Sequence, residues 1–110
     1  MFSQKEYIFK GFSGTDYPFE IMKKSSDFEP ATAIYIFTYK HLRGHMAGFA
    51  VNPLHIGQTD NLKKALIDHP QKDCLFNECS NCIHVMKLDA DESARKAIVE
   101  DLLKANPTPC

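Results

Sequence analysis

The stretch Leu54–His69, LHIGQTDNLKKALIDH, decides the fold. It opens as a short apolar strand, turns on Gly57, and enters a helix through Thr59, Asp60 and Asn61. Asp60 or Asn61 supplies a side-chain oxygen for the first-turn amides, which have no partner within the helix. Leu62, Ala65, Leu66 and His69 then recur at the spacing of one helical face. Pro70 drives the residue before it out of helical geometry. Upstream, Ala31–Tyr39 (ATAIYIFTY) is β-branched and aromatic and reads as a central strand.

Outward from these two segments the chain alternates strand and helix signals. Tyr7–Phe9 and Tyr17–Met22 read as a hairpin around the glycines of Gly11–Gly14. Pro18 cannot donate to a ladder and predicts an edge strand. Residues 25–30 form a polar linker, and His41–Pro53, with Gly44 and Gly48, reads as a loop or long hairpin tip. Gln71–Asn81 is irregular with a short helical turn. In Cys82–Leu88, Ile83 and Val85 take one face and Cys82, His84 and Met86 the other. The last helix starts at Asp89 or Asp91, with Glu92 placed for a capping-box contact to Asp89. Ala94, Ala97, Ile98, Leu102 and Ala105, widened by Val99 and Leu103, form its apolar stripe. Asn106-Pro107 ends it. The expected fold is α+β: a small antiparallel sheet flanked by helices, preceded by an N-terminal hairpin. It is expected as a single domain, with residues 1–30 as the hairpin extension and 31–110 as the core.

Length and composition exclude several classes. A chain of 110 residues supports one packed core. Its 44% hydrophobic and 25% charged residues are those of an ordinary globular protein. No secretory signal pattern or membrane-length apolar run is visible, so the expectation is a cytoplasmic protein without a membrane partner, its four cysteines reduced. A formal charge of −1 means that nucleic acid would have to be held by a local patch. Lys40, His41, Arg43 and His45 form one candidate, and Lys63 with Lys64 another. The plainer reading of both is a solvated face.

Ala33-Ile34-Tyr35 and His55-Ile56-Gly57 resemble the two half-motifs of the GIY-YIG nuclease family. Asp101-Leu102-Leu103 followed by Asn106-Pro107 resembles the end of that family's metal-ligand helix. The resemblance implies a GIY-YIG-like fold and cleavage of phosphodiesters by two tyrosines, an arginine on the first helix and a glutamate holding one divalent metal such as magnesium. It places Tyr35 at the first tyrosine and His55, an imidazole able to move protons near neutral pH, at the second. Ala65 stands at the arginine position and Val99 at the glutamate position. Lys64 and Glu100 are their neighbours, each rotated by about 100° around its helix. The expected site is thus Tyr35, His55, Gly57, Lys64 and Glu100, with Lys40, Arg43, Lys63 and Lys64 toward nucleic acid. Loss of the arginine and the carboxylate predicts nucleic-acid binding with impaired or absent hydrolysis. The alternatives are a rearranged, active metal-dependent endonuclease using Glu100 or Glu92, and a protein-interaction module.

Cys74, Cys79, Cys82 and His84 give the spacing C-x4-C-x2-C-x-H, a candidate zinc set of four soft donors. The competing reading is small buried hydrophobes, since paired C-x2-C knuckles are absent. Cys110 is expected to be unpaired.

Overall fold

One antiparallel sheet organises the computed structural model, which describes residues 6–23, 28–42, 49–67 and 69–110. Its strands are β1 (Glu6–Lys10), β2 (Asp16–Lys23), β3 (Ala33–Leu42), β4 (Phe49–Thr59) and β5 (Cys82–Lys87), in the order β1-β2-β5-β3-β4. With helices α1 (Leu62–Ile67), α2 (Lys72–Asn77) and α3 (Glu92–Ala105), the chain is an α+β fold.

β3 is paired on both sides, with β4 along its full length and with β5 from Ala33 to Thr38. Alternate residues of a strand face opposite ways, and here they feed two cores. Ala33, Tyr35 and Phe37 join Leu54, Ile83 and Val85 under α1 and α2, whose Leu62 and Leu75 close that side. Ile34 and Ile36 join Phe9, Phe19 and Ile56 under α3, closed by Leu102. Leu62 and Leu102 have no exposed surface, and each such burial stabilises by roughly 1.5–3 kcal/mol.

Local chemistry explains where the helices start. Asn61 Oδ1 accepts the Lys64 amide at 3.1 Å, so Asn61 is the cap of α1. Asp91 accepts the Ala94 amide at 2.8 Å, which fixes Asp91 rather than Asp89 as the start of α3. α1 is shorter than its apolar pattern suggests and ends at Ile67. The described flanks of the expected loop or hairpin tip are strand, since β3 runs to Leu42 and β4 begins at Phe49, and β4 continues through Gly57 to Thr59 instead of turning there. Arg43 and His45 lie outside the described residues.

Two expectations need correction. β2 is not an edge strand: it lies between β1 and β5, and β1 is the edge. Pro18 is tolerated because the β2–β5 register spans only Glu20 to Lys23, which leaves Pro18 paired on the β1 side alone. The buried line of α3 runs through Arg95, Ile98, Val99 and Leu102, while Ala94, Ala97 and Ala105 are exposed. Arg95 is buried because its charge is hydrogen-bonded, Nε to Gln58 Oε1 at 2.8 Å and Nη1 to the Ala90 carbonyl at 2.6 Å.

The N-terminal hairpin is clamped to α3 by Asp101. Its carboxylate accepts the Ser13 amide at 2.8 Å, the Ser13 hydroxyl at 2.7 Å and the Tyr17 hydroxyl at 2.8 Å. These donors, the Ser13 hydroxyl first, hold the Asp101 pKa below its usual value. A Cβ on Gly11 would collide with that carboxylate, so the turn needs a glycine there. Gly14, at φ +88°, closes the same turn in the left-handed region.

His84 is the anomaly of the second core. It is fully buried against the ring edges of Tyr7 and Phe9, and neither ring nitrogen has a hydrogen-bond partner among the described residues. Burial, aided by the Lys40 charge, lowers its pKa to about 4.

Two outcomes follow for stability. Asp101→Ala should raise amide exchange in residues 6–23 while leaving β3 protected; because the carboxylate's folded pKa is lowered, the same loosening should appear in the wild type as pH falls through that pKa. His84 binds its proton more readily when unfolded than when folded, so stability should fall as pH drops from 6.5 toward about 4. The full loss is roughly 3 kcal/mol. His84→Leu should remove that slope and stabilise the protein at neutral pH, as read by urea unfolding at several pH values; identical pH profiles for the two proteins would contradict the assignment.

Candidate functional site

Tyr35, His55 and Gly57 converge on one face of the β3–β4 ladder. Tyr35 lies opposite Gly57, and Phe37 opposite His55, in direct register. A bulge follows, since Thr38 pairs with Pro53 and Leu54 is the extra residue. The bulge lets Leu54 join the same apolar cluster that His55 borders. The Tyr35 phenol lies directly over Gly57: a Cβ there would sit 2.5 Å from the hydroxyl. Gly57 is therefore a glycine because it makes room for the tyrosine.

The residue facing Tyr35 comes from the turn after α1. His69 is buried, and its Nε2 lies 2.9 Å from the Tyr35 hydroxyl. The Gln71 amide donates to His69 Nδ1 at 3.1 Å. That contact assigns the proton of the neutral imidazole to Nε2, which donates to the tyrosine. Burial, then the neighbouring His55, lowers the His69 pKa, and burial raises that of Tyr35. Both groups are held neutral at pH 7. His55 packs edge-on against His69 with ring centroids 4.7 Å apart. Its Nδ1 donates to the main-chain oxygen of Cys110 at 3.1 Å. A small cavity of about 130 Å³ opens beside His69, bounded by Phe37, Leu66, Ile67, Leu75, Lys72 and Ser80.

The other expected residues are placed elsewhere. Lys63 and Lys64 are exposed on α1, on the same side of the sheet as Tyr35. Lys40 alternates to the opposite face, where its charge acts on His84. Val99 packs with Ile34 and Ile36 in the α3 core, and Glu100 is exposed on that helix. The glutamate position and its neighbour thus lie across the sheet from Tyr35, and a one-residue slip would not bring Glu100 to it.

The zinc quartet is a correction. Cys74 is bonded to Cys110, so its sulfur is not a free thiolate. His84 lies in the α3-side core, whereas Cys74 and Cys110 belong to the α2 side. Cys79 is exposed at φ +63° and Cys82 is half-buried. Among the described residues no three of His, Cys, Asp and Glu gather into a metal-binding group. The expectation of an unpaired Cys110 falls with it.

His69 and Cys110 are the site residues that sequence reading missed. His69 carried a signal: it falls on the buried stripe of α1 yet stands immediately before Pro70, so its ring must leave the helix on the core side. Nothing local marked Cys110 as the partner of a residue 36 positions away. Chemically, the cluster offers aromatic faces, imidazole nitrogens and a protonated phenol. The Tyr35–His69 pair carries no charge with which to neutralise phosphate or anchor a hard cation.

Gly57→Ala should push the Tyr35 ring off His69 and cost about 1–3 kcal/mol. Tyr35→Phe should cost a similar amount, about 1–3 kcal/mol, by leaving the His69 N–H without its acceptor. Chemical denaturation reads both, and a neutral Tyr35→Phe would mean that the hydrogen bond is not made. No family model, no curated protein and no solved structure matches this chain.

Proposed function

We propose that this chain is a nucleic-acid-binding domain on a nuclease-like scaffold that does not hydrolyse phosphodiesters. The Tyr35–His69 pair, held neutral beside His55, carries the reading. Hydrolysis needs charge stabilisation at the phosphate and an activated nucleophile. Here the position facing Tyr35 is a buried neutral imidazole, and Glu92 and Glu100 stand on the helix across the sheet. Binding needs less. Tyr35, Phe37, Tyr39 and His41 alternate along one face of β3 and run outward from the buried core to half-buried positions. Tyr39 and His41 are stacked, centroids 5.0 Å apart. Splayed bases stack on such rings. α1 presents Lys63 and Lys64 from the same side for backbone phosphates. From β3 onward the order strand–strand–helix–helix–strand–helix, with Tyr35 opposite Gly57, is consistent with the GIY-YIG resemblance.

A protein-interaction role is the second reading, favoured by Ile67 and Phe76, exposed by 76% and 79% on α1 and α2. Capture of a partner that survives nuclease treatment would select it.

Fluorescence anisotropy with single-stranded and duplex oligonucleotides tests the main reading. Single-strand binding is expected at low salt, with a slope of log K against log salt of about −1 to −2, and Lys63→Ala with Lys64→Ala should reduce that slope by about 1. Magnesium or manganese should produce no cleavage. Absence of binding at low salt, or cleavage abolished by Tyr35→Phe, would overturn it.

A further inference from the structure

We propose that the Cys74–Cys110 bond is a redox latch that holds residues 107–110 across His55 and so governs access to the Tyr35–His55–His69 site. This regulation rests on the binding reading above.

Cys110 is fixed at three separate atoms. Its sulfur is bonded to Cys74 of α2, its N–H donates to the Leu54 carbonyl at 3.0 Å, and its oxygen accepts from His55 Nδ1 at 3.1 Å. Its side chain packs against the cluster containing Tyr35 and Phe37. The two main-chain contacts consume the Leu54 acceptor at the bulge and the His55 donor, the polar groups of β4 nearest the site. The segment itself holds on weakly by other means. Pro107 and Pro109 have no N–H, so Thr108 and Cys110 are the main-chain donors of residues 107–110. Pro107 and Pro109 are exposed. The covalent link is what makes the covered arrangement persist, because it keeps the two hydrogen-bonding partners at high effective concentration.

A dithiol reductant opens the latch. One of its thiolates attacks a sulfur of the Cys74–Cys110 bond and the second resolves the mixed disulfide. Two electrons and two protons pass to Cys74 and Cys110, which become thiols, and the reductant closes to its own disulfide. Residues 107–110 can then leave, freeing the His55 Nδ1–H and the Leu54 carbonyl for a ligand and uncovering the Tyr35 side of the core. Oxidation of the two thiols by a disulfide of the same class returns the segment.

The test uses the full chain. Peptide mapping without reductant should show Cys74 joined to Cys110 while exposed Cys79 is alkylated. Diethyl pyrocarbonate labelling of His55, and affinity for a fluorescent single-stranded oligonucleotide, are then measured before and after dithiothreitol. Cys110→Ser, which keeps the main-chain donor and acceptor of residue 110 but cannot form the bond, is measured alongside without reductant. Reduction should raise His55 labelling severalfold and tighten binding about fivefold, the gain from one net hydrogen bond. Cys110→Ser should behave as the reduced protein, with unchanged far-ultraviolet circular dichroism in both. Free Cys74 and Cys110 in the unreduced map, or His55 labelling indifferent to reduction, would overturn the latch. Labelling that rises while oligonucleotide affinity stays flat leaves the latch standing and removes the nucleic-acid reading of the site.

Discussion

Pairing of β3 on both edges, with burial on both faces, is the constraint from which the rest of the structure descends. A strand hydrogen-bonded by β4 on one side and β5 on the other cannot shift by one residue without exchanging its two sets of side chains. Here the sets differ in kind. Ala33, Tyr35 and Phe37 are shaped to meet two short helices and a glycine, while Ile34 and Ile36 are shaped to meet one long helix. A slip would press the Tyr35 hydroxyl into the Leu102 core and leave Gly57 facing nothing. The register is therefore specified by packing, and the candidate site, which is a consequence of that register, is specified with it.

The two buried histidines among the described residues differ in how their ring nitrogens are satisfied. His69 uses both ring nitrogens, one toward the Gln71 amide and one toward Tyr35, so its burial is offset by hydrogen bonds. His84 uses neither and is neutral only because burial suppresses its protonation. The first arrangement defines a geometry; the second weakens the α3-side core without defining one. That difference supports the Tyr35 face, rather than the His84 face, as the site we propose.

Much of this was readable from residues. The β-branched and aromatic run ATAIYIFTY specified a strand, and Asp60 or Asn61 before LKKAL a helix with its buried face, because those signals are local. The alternation of Ile83 and Val85 against His84 likewise matched the two sides of the sheet. What stayed hidden depends on distance in the chain. The Asp101 clamp joins residues 88 apart, and the disulfide joins residues 36 apart. Arg95 broke the apolar stripe of α3 because its burial is licensed by Gln58 and Ala90, groups no helical-face argument can see. Pro18 misled for a related reason: its strand is central, but the neighbouring ladder stops short of it.

The pairing of Cys74 with Cys110 also changes what the cysteine pattern says about surroundings. Thiols in a reducing compartment remain thiols unless a disulfide is transient and does work, whereas in an oxidising one the bond persists as a permanent brace. No described helix is long and apolar enough to cross a membrane, and that observation is neutral between the two settings. On the latch we propose, the bond covers the Tyr35 cluster when formed and exposes it when broken, and the contacts of Cys110 with the Leu54 carbonyl and the His55 ring are the ones such a bond has to make.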